Sequence, residues 1–353
     1  MKHYNIPIFI SHFGCPNACV FCNQKKINGR ETDVTMEDVR KIIEMYLETL
    51  PKNSKKEVAF FGGTFTGISL KLQKEYLETV YEYIKKGLID GIRLSTRPDC
   101  INREIVEQLK KYGVTSVELG VQSLDERVLK ATARYYPVEV VAEACKLLKE
   151  YGIELGIQLM IGLPEATLES DYLTALKALE MQPDVARIYP TLVIKNTKLE
   201  DMFLKGEYHA LSIGEAVERT RKIYTLLELN GVNVIRVGLQ PSEDLREAGV
   251  VLGGPFHPAF RELVETEIYY NFLKKIADRE KKLDIETAEV NISKIVGIKK
   301  ANRLRLKEYF NIKIDNSLSR DVVVVNGKIY SRVDILREEN NESNSNQYRW
   351  LSI

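Results

Sequence analysis

Three of the five cysteines, Cys15, Cys19 and Cys22, fall within eight residues, spaced C-x-x-x-C-x-x-C, just after the apolar run at 6–10. Three thiolates on one short loop can hold three irons of a cubic iron–sulfur cluster. Ferredoxin-type clusters take four cysteines, so here the fourth iron stays open to another ligand. A vacancy of that kind points to chemistry rather than electron storage. Zinc also accepts Cys and His, and His12 lies nearby, but the second C-x-x-C pair of a zinc knuckle is missing. Cys100 and Cys145 are isolated and read as fillers of core niches. A chain this long and this poor in cysteine does not need a disulfide framework.

A second constellation follows at the end of an apolar run. Residues 60–66 read Phe-Phe-Gly-Gly-Thr-Phe-Thr. Paired glycines at a strand end let the backbone approach a ligand and present N–H and C=O groups to it. Alone, such a turn is common; directly after the cysteine loop it gains weight.

Together these features resemble the radical S-adenosylmethionine (SAM) superfamily. The resemblance implies a [4Fe-4S] cluster on Cys15, Cys19 and Cys22, with SAM chelating the unique iron. It implies cleavage of SAM to a 5′-deoxyadenosyl radical that abstracts a hydrogen atom from a substrate. Phe21, just before the last cysteine, fits the same pattern. By the same resemblance, Gly62, Gly63 and Thr64 would meet the amino group of SAM. Ser95 and Gln122 would offer polar contacts, Arg134 would face the carboxylate, and Gln158 the ribose hydroxyls. A planar guanidinium suits a carboxylate because it can donate two parallel hydrogen bonds.

The runs at 117–124, 187–199, 235–241 and 254–260 are similar to the Elongator catalytic-subunit branch, which modifies wobble uridines of tRNA. That branch carries an acetyltransferase domain and a wider first cysteine interval. The 88 residues after Glu265 show no Gly-rich pyrophosphate loop and do not resemble such a domain. They resemble the C-terminal piece of short bacterial relatives. Two other readings stay open: a radical SAM enzyme acting on a small molecule or tetrapyrrole, and a non-enzymatic metal-cluster protein that binds RNA. Arg236 and His257 are further candidates to face a substrate, and Tyr189 a candidate hydrogen donor.

The elements that would position these residues alternate. Strands are predicted over 6–13, 57–61, 91–96, 116–121, 153–161, 185–189 and 233–237. Helices are predicted over 35–50, 69–86, 102–112, 124–131, 138–151, 164–181 and 213–230. Such β–α alternation argues for parallel strands with helical crossovers. Polar and glycine residues cluster at the C-terminal strand ends, where an α/β barrel builds its site. The predicted fold is therefore α/β: a partial (β/α)6 TIM-like barrel, the radical SAM barrel by resemblance, with a small C-terminal α+β extension. Residues 1–240 form the barrel and 241–337 the extension, with helices over 260–280 and 299–310 and an Asn-Gly hairpin at 322–330. The polar stretch from Glu338 predicts a disordered tail over 338–353.

Overall charge excludes little: 51 basic and 50 acidic side chains leave a net of +1. Residues 291–337 carry a local excess of +7, a possible nucleic-acid footprint. No apolar run is long enough to span a membrane, and no signal peptide is evident. A cytoplasmic setting is expected. The expected partners are a reductant protein such as a ferredoxin or flavodoxin, tRNA as a candidate substrate, and no membrane.

Overall fold

The computed structural model describes residues 2–10, 14–23, 34–239, 243–306 and 310–346. Seven strands form one all-parallel sheet in the order β1 (His3–Phe9), β2 (Lys55–Phe61), β3 (Gly91–Thr96), β4 (Val114–Gln122), β5 (Glu154–Ile161), β6 (Val185–Pro190) and β8 (Asn233–Val237). The sheet curls into the half-barrel expected from the sequence. Helices cross over between the strands: α1 (Met36–Thr49), α2 (Leu70–Lys85), α3 (Arg103–Lys111), α4 (Glu126–Ala131), α5 (Glu139–Glu150), α6 (Leu168–Glu180) and, after the short α7 (Lys198–Leu204), α8 (Ile213–Leu229). Thr35 and Ser212 close capping boxes at the starts of α1 and α8.

Side chains alternate across each strand, and here the alternation sorts them by polarity. Val58 and Phe60, Ile92 and Leu94, Val117 and Leu119, Ile157 and Leu159, and Ala186 and Ile188 are fully or almost fully buried in the hydrophobic core. Of the intervening positions, which face the inside of the half-barrel, Arg93, Glu118 and Arg187 carry charge and Ala59 and Gln158 do not. Arg93 donates to Glu57 at 3.2 Å, to Glu118 at 3.2 Å and to Glu154 at 2.8 Å. Glu118 in turn accepts from Arg187, through Nη2 at 2.9 Å and also through Nε. A Cβ on Gly156, the partner of Glu118 on the next strand, would sit 2.8 Å from Glu118 Cγ, so glycine is what leaves room for that side chain.

Beyond the barrel, β7 (Val193–Ile194) pairs with β9 (Val251–Gly253). Helix α9 (Phe260–Glu280) packs on α8 and continues the core without a break into a second sheet. That sheet has the order β11 (Phe310–Ile314), β10 (Leu283–Thr287), β12 (Val322–Val325), β13 (Lys328–Ser331). Asn326 (φ 51°) and Gly327 (φ 79°) both lie at positive φ, as the predicted type I′ turn requires.

Two expectations change. The helix predicted over 299–310 is one short turn, Ala301–Arg305, and β11 follows it; residues 307–309 lie outside the described residues. The strand β11 owes its place to pairing with β10, a tertiary effect that local propensity does not carry. The tail predicted from Glu338 is helical at its start: the last helix runs Arg332–Asn346, and Glu339 is buried facing Arg221. An apolar pair, Ile335 and Leu336, anchors that helix in the core. Residues 11–13, at the end of the first predicted strand, lie outside the described residues, as do His12 and the remainder of the tail.

Removing one member of a buried ion network leaves its partners unpaired, at a cost of about 3–5 kcal/mol. Arg93→Ala should therefore lower the unfolding free energy by about 3 kcal/mol, read as a shift in the urea midpoint. Burial alone would push the Glu57 carboxyl up, but Lys55 and Arg93 outweigh it and hold it below its ordinary value. A depressed carboxyl stabilises the fold above its unfolded pKa and loses that contribution as pH falls through its folded value. The wild type should thus lose stability in acid more steeply than Arg93→Met; equal acid profiles would remove Arg93 as the cause.

Candidate active site

A cavity of about 400 Å³ opens at the C-terminal ends of the strands. All three clustered cysteines line it, and so do Gly62, Gly63, Thr64, Ser95, Gln122, Arg134 and Gln158. The structure thus brings the ten candidates for holding the cluster and SAM to one site.

The cysteine loop reaches the cavity because three separate segments clamp it. Gly14 lies at φ +74°, and a Cβ there would stand 2.3 Å from the Thr64 carbonyl oxygen. A Cβ on Gly67 would stand 2.0 Å from the Gly14 carbonyl oxygen, so the two backbones touch with no room for side chains. Val20 N–H donates to the Thr132 carbonyl at 3.3 Å, and its own carbonyl accepts from Leu199 N–H at 2.8 Å. Asn23 Nδ2 donates to the Lys195 carbonyl at 3.0 Å. Phe21 packs against the cluster of Val193, Leu199 and Tyr208. The run at 187–199 is therefore partly a dock for the loop.

The thiols sit beside polar and cationic groups. Cys15 Sγ lies 3.2 Å from Thr64 Oγ1. Burial pushes the Cys15 thiol above its ordinary pKa, against the opposing pull of Thr64, Arg97 and Arg134. Arg134 Nη1 donates to Cys19 Sγ at 3.3 Å, and Arg97 Nη1 approaches the same sulfur at 3.9 Å. Arg134 also donates to the Gly120 carbonyl and to the Tyr136 hydroxyl. Among the described residues no three His, Cys, Asp or Glu groups gather around one point as for a single metal ion. A cubic cluster, with its irons at separate corners, does not require such convergence.

Two candidates show signs of a ligand site. Gln122 holds φ +66°, unusual for a residue with a side chain. Its Oε1 is buried and accepts no hydrogen bond among the described residues. Gln158 Nε2 donates to Ser95 Oγ at 3.2 Å and to Glu118 Oε2 at 3.3 Å, which ties the cavity floor to the charged network below.

Outside this group, Arg236 and Tyr189 line the cavity as well, whereas His257 does not. His257 Nδ1 instead accepts from Ala259 N–H at 3.1 Å, a turn-stabilising role. Cys145 is buried against Met181, its thiol pushed up to about 12 by burial, consistent with a core role. Cys100 is only partly buried, with its thiol pushed up to about 11.

Arg97, Tyr136, Glu118 and Arg187 were not singled out from the sequence. Their signal was present: Glu118 and Arg187 are charged residues inside otherwise apolar strand runs, and Arg97 follows Ser95 by two positions.

Gly14→Ala should strain the positive-φ backbone by about 1–2 kcal/mol and push the loop off the 64–67 turn. Iron bound per chain after anaerobic reconstitution should fall well below the wild-type value. Retention of wild-type iron would show that the Gly14 contact does not set the loop.

The comparisons with known proteins agree with this geometry. The model of the Radical SAM superfamily matches residues 9–175, and that of the Radical_SAM C-terminal domain matches residues 183–270. A tRNA uridine(34) acetyltransferase of Methanocaldococcus infernus is 29% identical over 254 residues, covering 60% of this chain and 47% of that protein. Elongator complex protein 3 of Bos taurus is 27% identical over 320 residues, covering 79% and 56%. The chain spans about half the length of these curated relatives. The solved archaeal Methanocaldococcus infernus Elp3 with N-terminus deletion (1-46) superposes with a TM-score of 0.62 at 24% identity, over 83% of this chain and 67% of that one, a shared fold. The chain belongs to the radical SAM superfamily, in its Elongator catalytic-subunit-like branch.

Proposed function

We propose that this chain is a radical SAM enzyme, with tRNA as its substrate. The observation that carries the reading is the convergence of three thiols, a glycine turn and four polar side chains on one cavity. The donor set suits the two cofactors. Three thiols are soft ligands for iron, and Cys15, Cys19 and Cys22 would hold the cluster. Gln122 Oε1 has an acceptor position to offer an amino or hydroxyl group of SAM. Gly62 and Gly63 offer close backbone approach, with Thr64 and Ser95 beside them. Arg134, whose nitrogens already meet Cys19, Gly120 and Tyr136, would reach the carboxylate by exchanging one of these partners, and Gln158 offers a side-chain amide to the ribose. When bound, the cluster and SAM together supply a carbon-centred radical able to abstract a hydrogen atom.

The protein's own residues do the positioning. Arg134 donates to Cys19 and Arg97 approaches the same sulfur, which fixes the position of that side chain in the cavity. The cysteine loop and the aromatic residues Phe9, Phe21 and Phe61 line the cavity and limit water near the thiols. A reductant protein such as a ferredoxin or flavodoxin would supply the electron. No described helix is long and apolar enough to cross a membrane.

The cofactor reading is tested anaerobically with iron, sulfide, SAM and dithionite. The wild type should form 5′-deoxyadenosine and Cys19→Ala should not. Zinc in place of iron and sulfide after anaerobic purification, with no product even when total tRNA is added, would overturn it.

The RNA part rests on the names of the relatives and on one exposed turn. Lys299, Lys300 and Arg303 are exposed together, and both lysines lie at positive φ. Arg305 and Lys294, from the same basic segment, are already paired with Glu267 and Glu265 at 2.7 Å. The triple variant Lys299→Glu, Lys300→Glu, Arg303→Glu should weaken tRNA binding. It should also flatten the dependence of log K on log salt by roughly 2–3. An unchanged salt slope would take this turn out of the RNA interface.

A further inference from the structure

The cavity has an electrostatic imbalance. Its described lining includes four arginines, Arg97, Arg134, Arg187 and Arg236, and no Asp, Glu or Lys. Arg97 is paired with Asp99 at 2.8 Å, and Arg187 with Glu118. Arg134 serves Cys19, Gly120 and Tyr136. Arg236 is different. It donates through Nε to the Gly238 carbonyl at 2.9 Å, and among the described residues no carboxylate pairs with it.

Its surroundings make the imbalance sharper. Arg187 and Arg236 are direct register partners on β6 and β8, at the end of the sheet order opposite the strand that leads to the cysteine loop. Like charges directly opposite each other across strands are destabilising. The titratable groups near enough to act on the Arg236 charge are Tyr189, Arg187 and Arg261, one phenol and two more cations. Burial, with Arg187 and Arg261 beside it, lowers the Arg236 pKa from its ordinary value, and only Tyr189 opposes this. A half-buried guanidinium that lines the cavity, with only its Nε hydrogen-bonded among the described residues, is what a carboxylate or a phosphate can grip through two hydrogen bonds.

We propose that Arg236, opposite Arg187 on the neighbouring strand, recognises an anionic group of the substrate, a phosphate or a carboxylate. This deepens the proposed function and rests on the cavity being the substrate site. Arg236 thereby fixes which end of the substrate enters the barrel. The anion would sit between β6, which the charged network holds through Arg187, and β8, which contributes no described member to it.

The test uses inorganic phosphate and acetate as separate probes, titrated calorimetrically into the full chain after reconstitution, with and without SAM. Wild type should bind one of the two probes. Arg236→Gln should bind it about tenfold more weakly or worse, and Arg236→Lys should fall between them. Without added anion, Arg236→Gln should melt no lower than wild type, because it removes a like-charge neighbour, so lost binding would not reflect lost folding. Which probe binds separates a phosphate-bearing substrate from a carboxylate-bearing one. Wild type that binds neither probe, or Arg236→Gln that binds as tightly as wild type, overturns the assignment. The titration needs no SAM cleavage, so failure of the radical reading in the 5′-deoxyadenosine assay and failure of the anion site are read separately.

Discussion

Burying charge inside a half-barrel is the constraint on which the rest of this structure depends. Glu57 and Glu118 are each 1% exposed and Arg93 is 6% exposed. Transferring such groups from water is costly unless they are paired with good geometry. The chain meets this by placing acids and bases on consecutive strands, so that β2, β3, β4, β5 and β6 each contribute a member. An apolar interior of the same volume could be as stable or more so. What the ion network adds is direction. Glu118 can satisfy Arg93 below, and Arg187 and Gln158 above, only when all the strands are in register. The floor of the cavity is thereby fixed to the sheet rather than left to loops.

The cysteine loop shows the opposite strategy. It has few residues of its own to bury, so its shape comes from what it touches. Gly14 packs backbone to backbone on the turn after β2, Val20 bridges the loops after β4 and β6, and Arg134 reaches from the loop after α4 to Cys19. These contacts join positions from 50 residues apart (Gly14 and Thr64) to 179 residues apart (Val20 and Leu199) in the chain. The loop cannot take this form until the half-barrel has, so the placement of the three thiols is coupled to the fold that positions them.

The sequence was most readable where local pattern and structure agree. The capping residue Thr35, the Asn326–Gly327 turn and the alternation of apolar and charged residues in β3 and β4 all follow local rules. The candidate site was readable because its residues follow strands in chain order, and the barrel topology brings strand ends together. What was not readable depended on tertiary partners. The strand β11 exists because β10 offers it an edge. The helix after Arg332 continues past Glu338 in spite of its polar composition, because Ile335, Leu336 and Glu339 find buried places against the barrel helices. Arg305 looked like part of a free basic surface, yet it is paired with Glu267 and stacked on Tyr270.

Taken together, the two ends of the cavity are electrostatically distinct although both are basic. At the cysteine end the cations have partners: Arg134 and Arg97 converge on Cys19, and Arg97 is also paired with Asp99. At the β6–β8 end the pairing is incomplete, because Glu118 is fully engaged by Arg93 and Arg187 and cannot serve Arg236 as well. The network that fixes the floor therefore leaves one guanidinium over. Among the described residues, the carboxylates that hold the register leave none for the last strand. The remaining charge is offset only when something anionic enters from outside, which makes the same ion network responsible both for the rigidity of the site and for its appetite for an anion.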